Sequence, residues 1–179
     1  SLSDREEGQG IGAVVRIPAR TLRDIRTGPE CLVVTLVEPR DPGNVGSVVR
    51  TADAVGASGV VVVGTAADIY DPRSVRSSLG SLFAVPVIQA PDLEGFVSWA
   101  QPLGLRCVGT SARAEVSCFE ADLSGPLALV LGPERGGLEE DAIRLCDLSL
   151  RIPMRGRASS LNLAAAAAVL VYETIRQRA

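Results

Sequence analysis

The chain has 179 residues, 46% of them hydrophobic and 22% charged, with a formal net charge of −3. That length suits one domain with a substantial buried core, and 18 Gly with 11 Pro keeps the composition in the ordinary globular range. There is no histidine and all 18 basic residues are arginine, which excludes Ser-His-Asp and Cys-His catalysis, imidazole zinc sites, Schiff-base lysines and the Walker A lysine.

Residues 1–30 carry five arginines and five acidic residues with little periodicity, and read as a linker or N-terminal extension, with one short strand near residues 13–16. Within them GQGIGA, from Gly8 to Ala13, matches GxGxxA, and Glu30 follows at dinucleotide-binding spacing. No strand pattern precedes that loop and the extended AVVRIP follows it, so a plain turn is the favoured reading and an NAD-binding protein the weaker rival. The polar, acidic start does not read as a signal peptide, so none is expected. Cys31, Cys107, Cys118 and Cys146 form no CxxC pair and sit mostly in apolar runs, which predicts buried free thiols in a reducing compartment. The longest apolar run, LNLAAAAAVLVY, is too short and alanine-rich to cross a bilayer, so the expectation is a soluble, cytoplasmic protein with no membrane partner.

From residue 31 to 179 the pattern is that of one domain. Val/Leu/Ile-rich runs at 32–37, 60–63, 85–88, 106–108, 127–131 and 148–152 read as strands buried on both faces. Helical patterns fall between and after them, at 45–55, 73–79, 93–101, 139–145 and 161–177. Strands alternating with helices predict an α/β fold: a mostly parallel sheet flanked by helices, with ligands outside the carboxyl ends of the strands.

Three strand-to-loop junctions stand out. After the first strand, Pro39 to Gly43 form a loop and Asn44 is placed to cap a helix carrying Arg50 and Thr51. By spacing alone, Asn44 is either a cap or a site residue, and Arg50 either a solvated charge or a ligand-binding one. After the strand at 127–131 comes GPERGG, where Gly132, Gly136 and Gly137 free the backbone and Glu134 can accept hydrogen bonds. After the strand at 148–152 a loop carries Arg155, Gly156 and Arg157, and Ser160 or Asn162 begins the last helix. Glycine-bearing loops leaving neighbouring strands can wall a small-molecule pocket.

In this order, NVGSVVRTADAVG, LVLGPERGGL and RIPMRGRASSLNLAAAAAVL resemble the three motifs of the SpoU/TrmH family, AdoMet-dependent RNA ribose 2'-O-methyltransferases of the SPOUT class. YDPRSVRSSLGSLFAVPV resembles the family's segment between the first two motifs, and the likeness runs over about residues 33–178. The resemblance implies methyl transfer from AdoMet to a ribose 2'-hydroxyl, on ribosomal RNA ahead of transfer RNA, in a group that includes antibiotic-resistance enzymes. A non-catalytic RNA-binding module on the same scaffold is the rival from another class. It further implies a C-terminal trefoil knot, a homodimer, no metal, and a small RNA-binding domain preceding residues 1–30 in longer members. Carried onto this sequence, AdoMet would meet Thr110, Leu131, Gly132, Ile152, Met154 and Leu161. Arg50 would act on the 2'-hydroxyl, with Asn44, Glu134, Ser160 and Asn162 completing the catalytic polar shell. An always-protonated guanidinium is a poor base, so an electrostatic role for Arg50 is preferred. Arg50, Arg73, Arg76, Arg155 and Arg157 would bind RNA, whereas Arg135 and Arg151 read as solvated charges.

Overall fold

The computed structural model describes residues 14–179. Seven strands form one sheet: β1 (Leu32–Val37), β2 (Gly59–Val63), β3 (Val87–Ala90), β4 (Arg106–Thr110), β5 (Val116–Ser117), β6 (Leu127–Leu131) and β7 (Leu148–Arg151). Their spatial order is β3-β2-β1-β6-β4-β7-β5, with every neighbouring pair parallel. The helices are α1 (Pro42–Ala54), α2 (Pro72–Ser78), α3 (Leu93–Ala100), α4 (Glu140–Arg144) and α5 (Leu163–Arg178).

The sheet is covered on both faces, which is why its strands read as unbroken apolar runs. On one side Val34, Leu36, Val60 and Leu129 pack with Val45, Val48 and Val49 of α1 and Ala167, Leu170 and Val171 of α5. On the other, Val33, Val61 and Val130 pack with Phe96, Val97 and Ala100 of α3 and with the partly buried Ile143 of α4. Ordinary alternation along each strand divides its side chains between these two cores. The order places β6 between β1 and β4, so the loops leaving β1, β6, β4 and β7 converge at one edge. That edge holds the site.

Most elements lie where the sequence predicts them, and the departures have local causes. The first helix starts at Pro42, because Asp41 is its cap and accepts from the Gly43 amide at 3.0 Å. Proline at the first helical position gives up no needed donor. Asn44 is therefore not the cap, which corrects the sequence expectation and leaves its amide available for other partners. The third strand begins at Val87 rather than at residue 85, since Pro86 supplies only its carbonyl, to Val60. The two-residue β5 escapes a periodicity reading altogether. Residues 14–16 form no strand, and the GQGIGA loop lies outside the described residues. All four cysteines are free thiols, three of them buried and Cys146 partly so.

Candidate active site

A cavity of about 340 Å³ opens at the carboxyl ends of β4, β6 and β7. All six residues expected around the cofactor line it: Thr110, Leu131, Gly132, Ile152, Met154 and Leu161. Leu150 and Leu163 add apolar wall, Ser111, Ser159 and Ser160 add hydroxyls, and Glu134 stands in the lining. The volume and the mix of apolar wall with a few polar groups are those of a small-molecule site.

The loop after β6 is folded back tightly. A Cβ on Gly132 would stand 2.3 Å from the backbone carbon of Gly137 and from the amide nitrogen of Leu138, so only glycine fits there. Gly136 and Gly137 have φ of 91° and 70°, the left-handed region, and turn the chain back over that point. This hairpin of backbone carries Glu134 to the first motif. The Glu134 carboxylate accepts from the Asn44 side-chain amide at 2.8 Å and from the backbone amides of Arg40 at 3.2 Å and Asp41 at 3.3 Å. Burial alone would raise its pKa, but the bonds from Asn44 and from backbone amides outweigh that and hold it below the ordinary carboxylate value.

Asn44 passes the connection on. Its carbonyl oxygen accepts from the Asn162 side-chain amide at 2.9 Å. The Asn162 oxygen in turn accepts from the amides of Ala164 at 2.9 Å and Ala165 at 3.4 Å, capping α5. Because each side-chain amide donates through one end and accepts through the other, the run Glu134–Asn44–Asn162–α5 has a single consistent polarity. It ties together three segments that are far apart in sequence. Of the four residues that the resemblance implies for the polar shell, Glu134, Asn44 and Asn162 are bonded in this run and Ser160 is not.

The other candidates are placed differently. Arg50 lies on α1, six residues past Asn44, with an exposed side chain. Among the described residues its guanidinium bonds neither Glu134, Asn44 nor Asn162. Arg50 therefore stands apart from that run, since six helical positions turn it about 120° away from Asn44. Ser160 lines the cavity and is exposed. Arg73 on α2 is 68% exposed and pairs with Asp71 at 3.2 Å. Arg76 shares that short helix, and Arg155 and Arg157 stand exposed in the loop after β7. Arg151 is no solvated charge: it donates to the carbonyls of Ala114, at 2.8 Å, and Glu115, fixing the approach to β5. Asp41, Ser111 and Ser159 went unremarked in the sequence. A Pro following an Asp could have flagged Asp41 as the cap, whereas the two serines carry no pattern. Among the described residues no cluster of acidic or cysteine side chains could hold a metal ion, and no helix is long and apolar enough to cross a membrane.

Known proteins are similar to this chain in sequence and fold. A 23S rRNA (uridine(2479)-2'-O)-methyltransferase of Streptomyces viridochromogenes is 43% identical over 175 residues, covering 94% of this chain and 60% of the relative. The crystal structure of the SpoU methyltransferase AviRb from that organism, in complex with the cofactor AdoMet, superposes with a TM-score of 0.86 at 42% identity, over 90% of this chain and 63% of that one. A structure describing 2-OH methylation of C/U34 on tRNA superposes with a TM-score of 0.78 at 34% identity, over 84% of this chain and 98% of that one. The chain thus spans about 60% of the length of the first of these relatives. The SpoU rRNA Methylase family model matches residues 31–172, which takes in all three junctions, the cavity and the Glu134–Asn44–Asn162 run, and the chain belongs to that family.

Proposed function

We propose that this chain is the catalytic domain of an AdoMet-dependent RNA ribose 2'-O-methyltransferase acting on ribosomal RNA. The observation that carries the reading is the cavity at the strand ends, bordered by the Glu134–Asn44–Asn162 run, in a chain similar to an AdoMet-bound family member. The cavity fits the cofactor in kind: leucine and isoleucine walls suit an adenine ring, while Thr110, Ser111 and the glycine-lined backbone offer donors and acceptors. Thr110, Leu131, Gly132, Ile152, Met154 and Leu161 would hold it. When bound, AdoMet supplies a methyl group already activated on a sulfonium.

The protein's own task is then to place a ribose hydroxyl and stabilise its oxygen as the proton leaves and the methyl–oxygen bond forms. Glu134 is a poor general base, because its depressed pKa and three accepted hydrogen bonds commit the carboxylate to holding the first-motif loop. It is a positioning residue, as are Asn44 and Asn162. Arg50, exposed and without a hydrogen-bond partner among the described residues, is placed to grip an RNA phosphate and stabilise the developing alkoxide, and Ser160 offers a hydroxyl to the ribose. Arg73, Arg76, Arg155 and Arg157 extend the positive surface toward the RNA, and a second copy of the chain joins through α1 and α5. The C-terminal threading belongs to the same reading. Residues 118–123 lie against both β7 and α5: the Cys118 amide donates to the Arg151 carbonyl at 2.8 Å, the Leu123 amide to the Gln177 side-chain oxygen, and the Gln177 side-chain amide to the Ala121 carbonyl.

Transfer RNA is the second reading, favoured by the similarity to the C/U34 structure, nearly the whole of which this chain covers. One experiment separates them. The protein is incubated with methyl-labelled AdoMet and either 23S rRNA or bulk tRNA, and products are mapped by resistance of 2'-O-methylated linkages to alkali. Label in 23S rRNA alone supports the ribosomal reading and label in tRNA alone overturns it. Binding of AdoMet without transfer to either RNA would turn the protein into a non-catalytic module.

A further inference from the structure

Beside the cofactor cavity, on the far side of the strand-end segment from Arg151 to Arg155, lies a second cleft of about 570 Å³. It is lined by Ser117, Phe119, Glu120, Arg151, Pro153 and Arg155. Arg151 belongs to both cavities, so the two open side by side at the carboxyl end of β7. We propose that this cleft is a nucleotide subsite, in which one base of single-stranded RNA flanking the methylated nucleotide stacks on Phe119 while Arg155 takes a phosphate. The inference rests on the methyltransferase reading and adds to it a place where the RNA is held.

Phe119 is the reason to look here. The chain has six aromatic residues, and Phe119 is 59% exposed although it sits in a rigid turn. Its amide donates to the Ser117 hydroxyl at 3.2 Å, and the amides of Glu120 and Ala121 donate to the Ser117 carbonyl at 3.0 Å and 2.9 Å. Cys118, completely buried, anchors that turn from below and bonds the Arg151 carbonyl at 2.8 Å. Nothing in the turn forces a phenyl ring into water, and a ring fixed in this way loses little entropy when a base stacks on it. Phe83 and Tyr172 are also exposed, but neither lines either of these two clefts.

The charges fit one nucleotide and no more. Arg151 spends donors on Ala114 and Glu115, so it forms the floor of the cleft. Arg155 is exposed and makes no ion pair among the described residues, which leaves its fork for a phosphate. Glu120 accepts hydrogen bonds only, and suits a base N–H or a ribose hydroxyl at the edge of the stacked ring. A single platform also accords with a chain too poor in aromatic residues to track a strand by repeated stacking.

The test uses Phe119→Trp, which keeps the platform and makes it fluorescent; the parent, whose one tryptophan is Trp99, gives the baseline. A ten-nucleotide single-stranded RNA of mixed sequence is titrated through the roughly 0.1 mM range of non-specific contacts, with binding followed by anisotropy and stacking by indole quenching. The expected result is quenching in the variant beyond the parent's, in step with binding. Phe119→Ala should weaken binding about 5- to 150-fold, and Arg155→Ala should lower the slope of log K against log salt by about 0.7. AdoMet affinity should be unchanged in all three variants, because Phe119 and Arg155 lie outside the cofactor cavity. RNA binding without extra quenching, or Phe119→Ala binding as tightly as the parent, overturns the subsite and leaves the methyltransferase reading standing. So does a loss of dimer mass in Phe119→Ala with RNA affinity intact, which would make the cleft a protein interface. A parent that binds no AdoMet overturns the methyltransferase reading itself, and the subsite with it.

Discussion

Gly132→Ala is the sharpest single test of how the site is built. Within this loop the added methyl does not reach into the cavity; it meets the backbone of Gly137 and Leu138 at 2.3 Å. Ordinary van der Waals contact begins at 3.4 Å, so the 133–138 loop must back away by about 1.1 Å. Glu134 rides on that loop, and its bonds to Arg40 and Asp41 are already 3.2 Å and 3.3 Å long. A shift of that size carries them past hydrogen-bonding distance and loosens the 2.8 Å bond to Asn44. Overpacking of this kind costs about 1–3 kcal/mol, which corresponds to an AdoMet affinity about 5- to 150-fold weaker if the cavity wall absorbs the displacement. Calorimetric titration with AdoMet measures the affinity, and urea unfolding of the same variant separates a displaced loop from a lost fold. Gly136→Ala is the control: nothing lies within 4 Å of its added methyl, and only its φ of 91° is penalised. That should cost about 1–2 kcal/mol of stability with a smaller effect on affinity. Normal AdoMet affinity and stability in Gly132→Ala would refute the argument.

Arg50→Ala should abolish methyl transfer while AdoMet affinity stays within about fivefold, less than 1 kcal/mol, because Arg50 is absent from the cavity lining; near-normal turnover would remove Arg50 from the mechanism. Arg50→Lys should also be poor, since a point charge cannot replace the planar fork. Sedimentation at micromolar concentration should report twice the 18.7 kDa chain mass, and a monomer that still binds AdoMet would refute association through α1 and α5. Glu173 is held to a pKa of about 2 by the Arg176 guanidinium and then by the Gln177 amide, against an ordinary value of 4.5. Its stabilisation is therefore complete above about pH 4.5 and lost as pH falls toward 2, and Glu173→Gln should flatten the urea midpoint across that window. Arg178 donates to the carbonyls of Glu30, Cys31 and Gly125, joining the end of α5 to the starts of β1 and β6, so Arg178→Ala should cost about 1.5–3 kcal/mol by urea unfolding.

How much of this was legible beforehand divides along a physical line. Strands such as Leu32–Val37 and Leu127–Leu131 read correctly to the residue because both faces are buried, so every position carries hydrophobic signal. The two-residue β5 has no room for any period, yet its Ser117 lines the second cleft. Strand order was not legible at all, since local pattern cannot say that β6 enters between β1 and β4. The cavity residues were named through resemblance, and the structure supplies the reason they belong together. Asn44 shows the difference most clearly. Read locally, an Asn before an apolar helical run is a cap. In the fold Asp41 and Pro42 take that role, and Asn44 is freed to accept from Asn162 and donate to Glu134. A residue that joins partners 90 and 118 positions away leaves no periodic trace in its own neighbourhood. The same geometry limits what that run can do. Glu134, Asn44 and Asn162 use their donors and acceptors on one another and on the backbone, so they fix the frame of the site. Among the described residues, Arg50, Arg76, Arg155, Arg157, Ser159 and Ser160 are exposed and keep their side-chain hydrogen-bonding capacity unspent. Frame and contact surface are thus separate sets of residues. Substitutions in the first should alter loop position and stability together, whereas substitutions in the second should alter RNA binding or turnover with the fold unchanged.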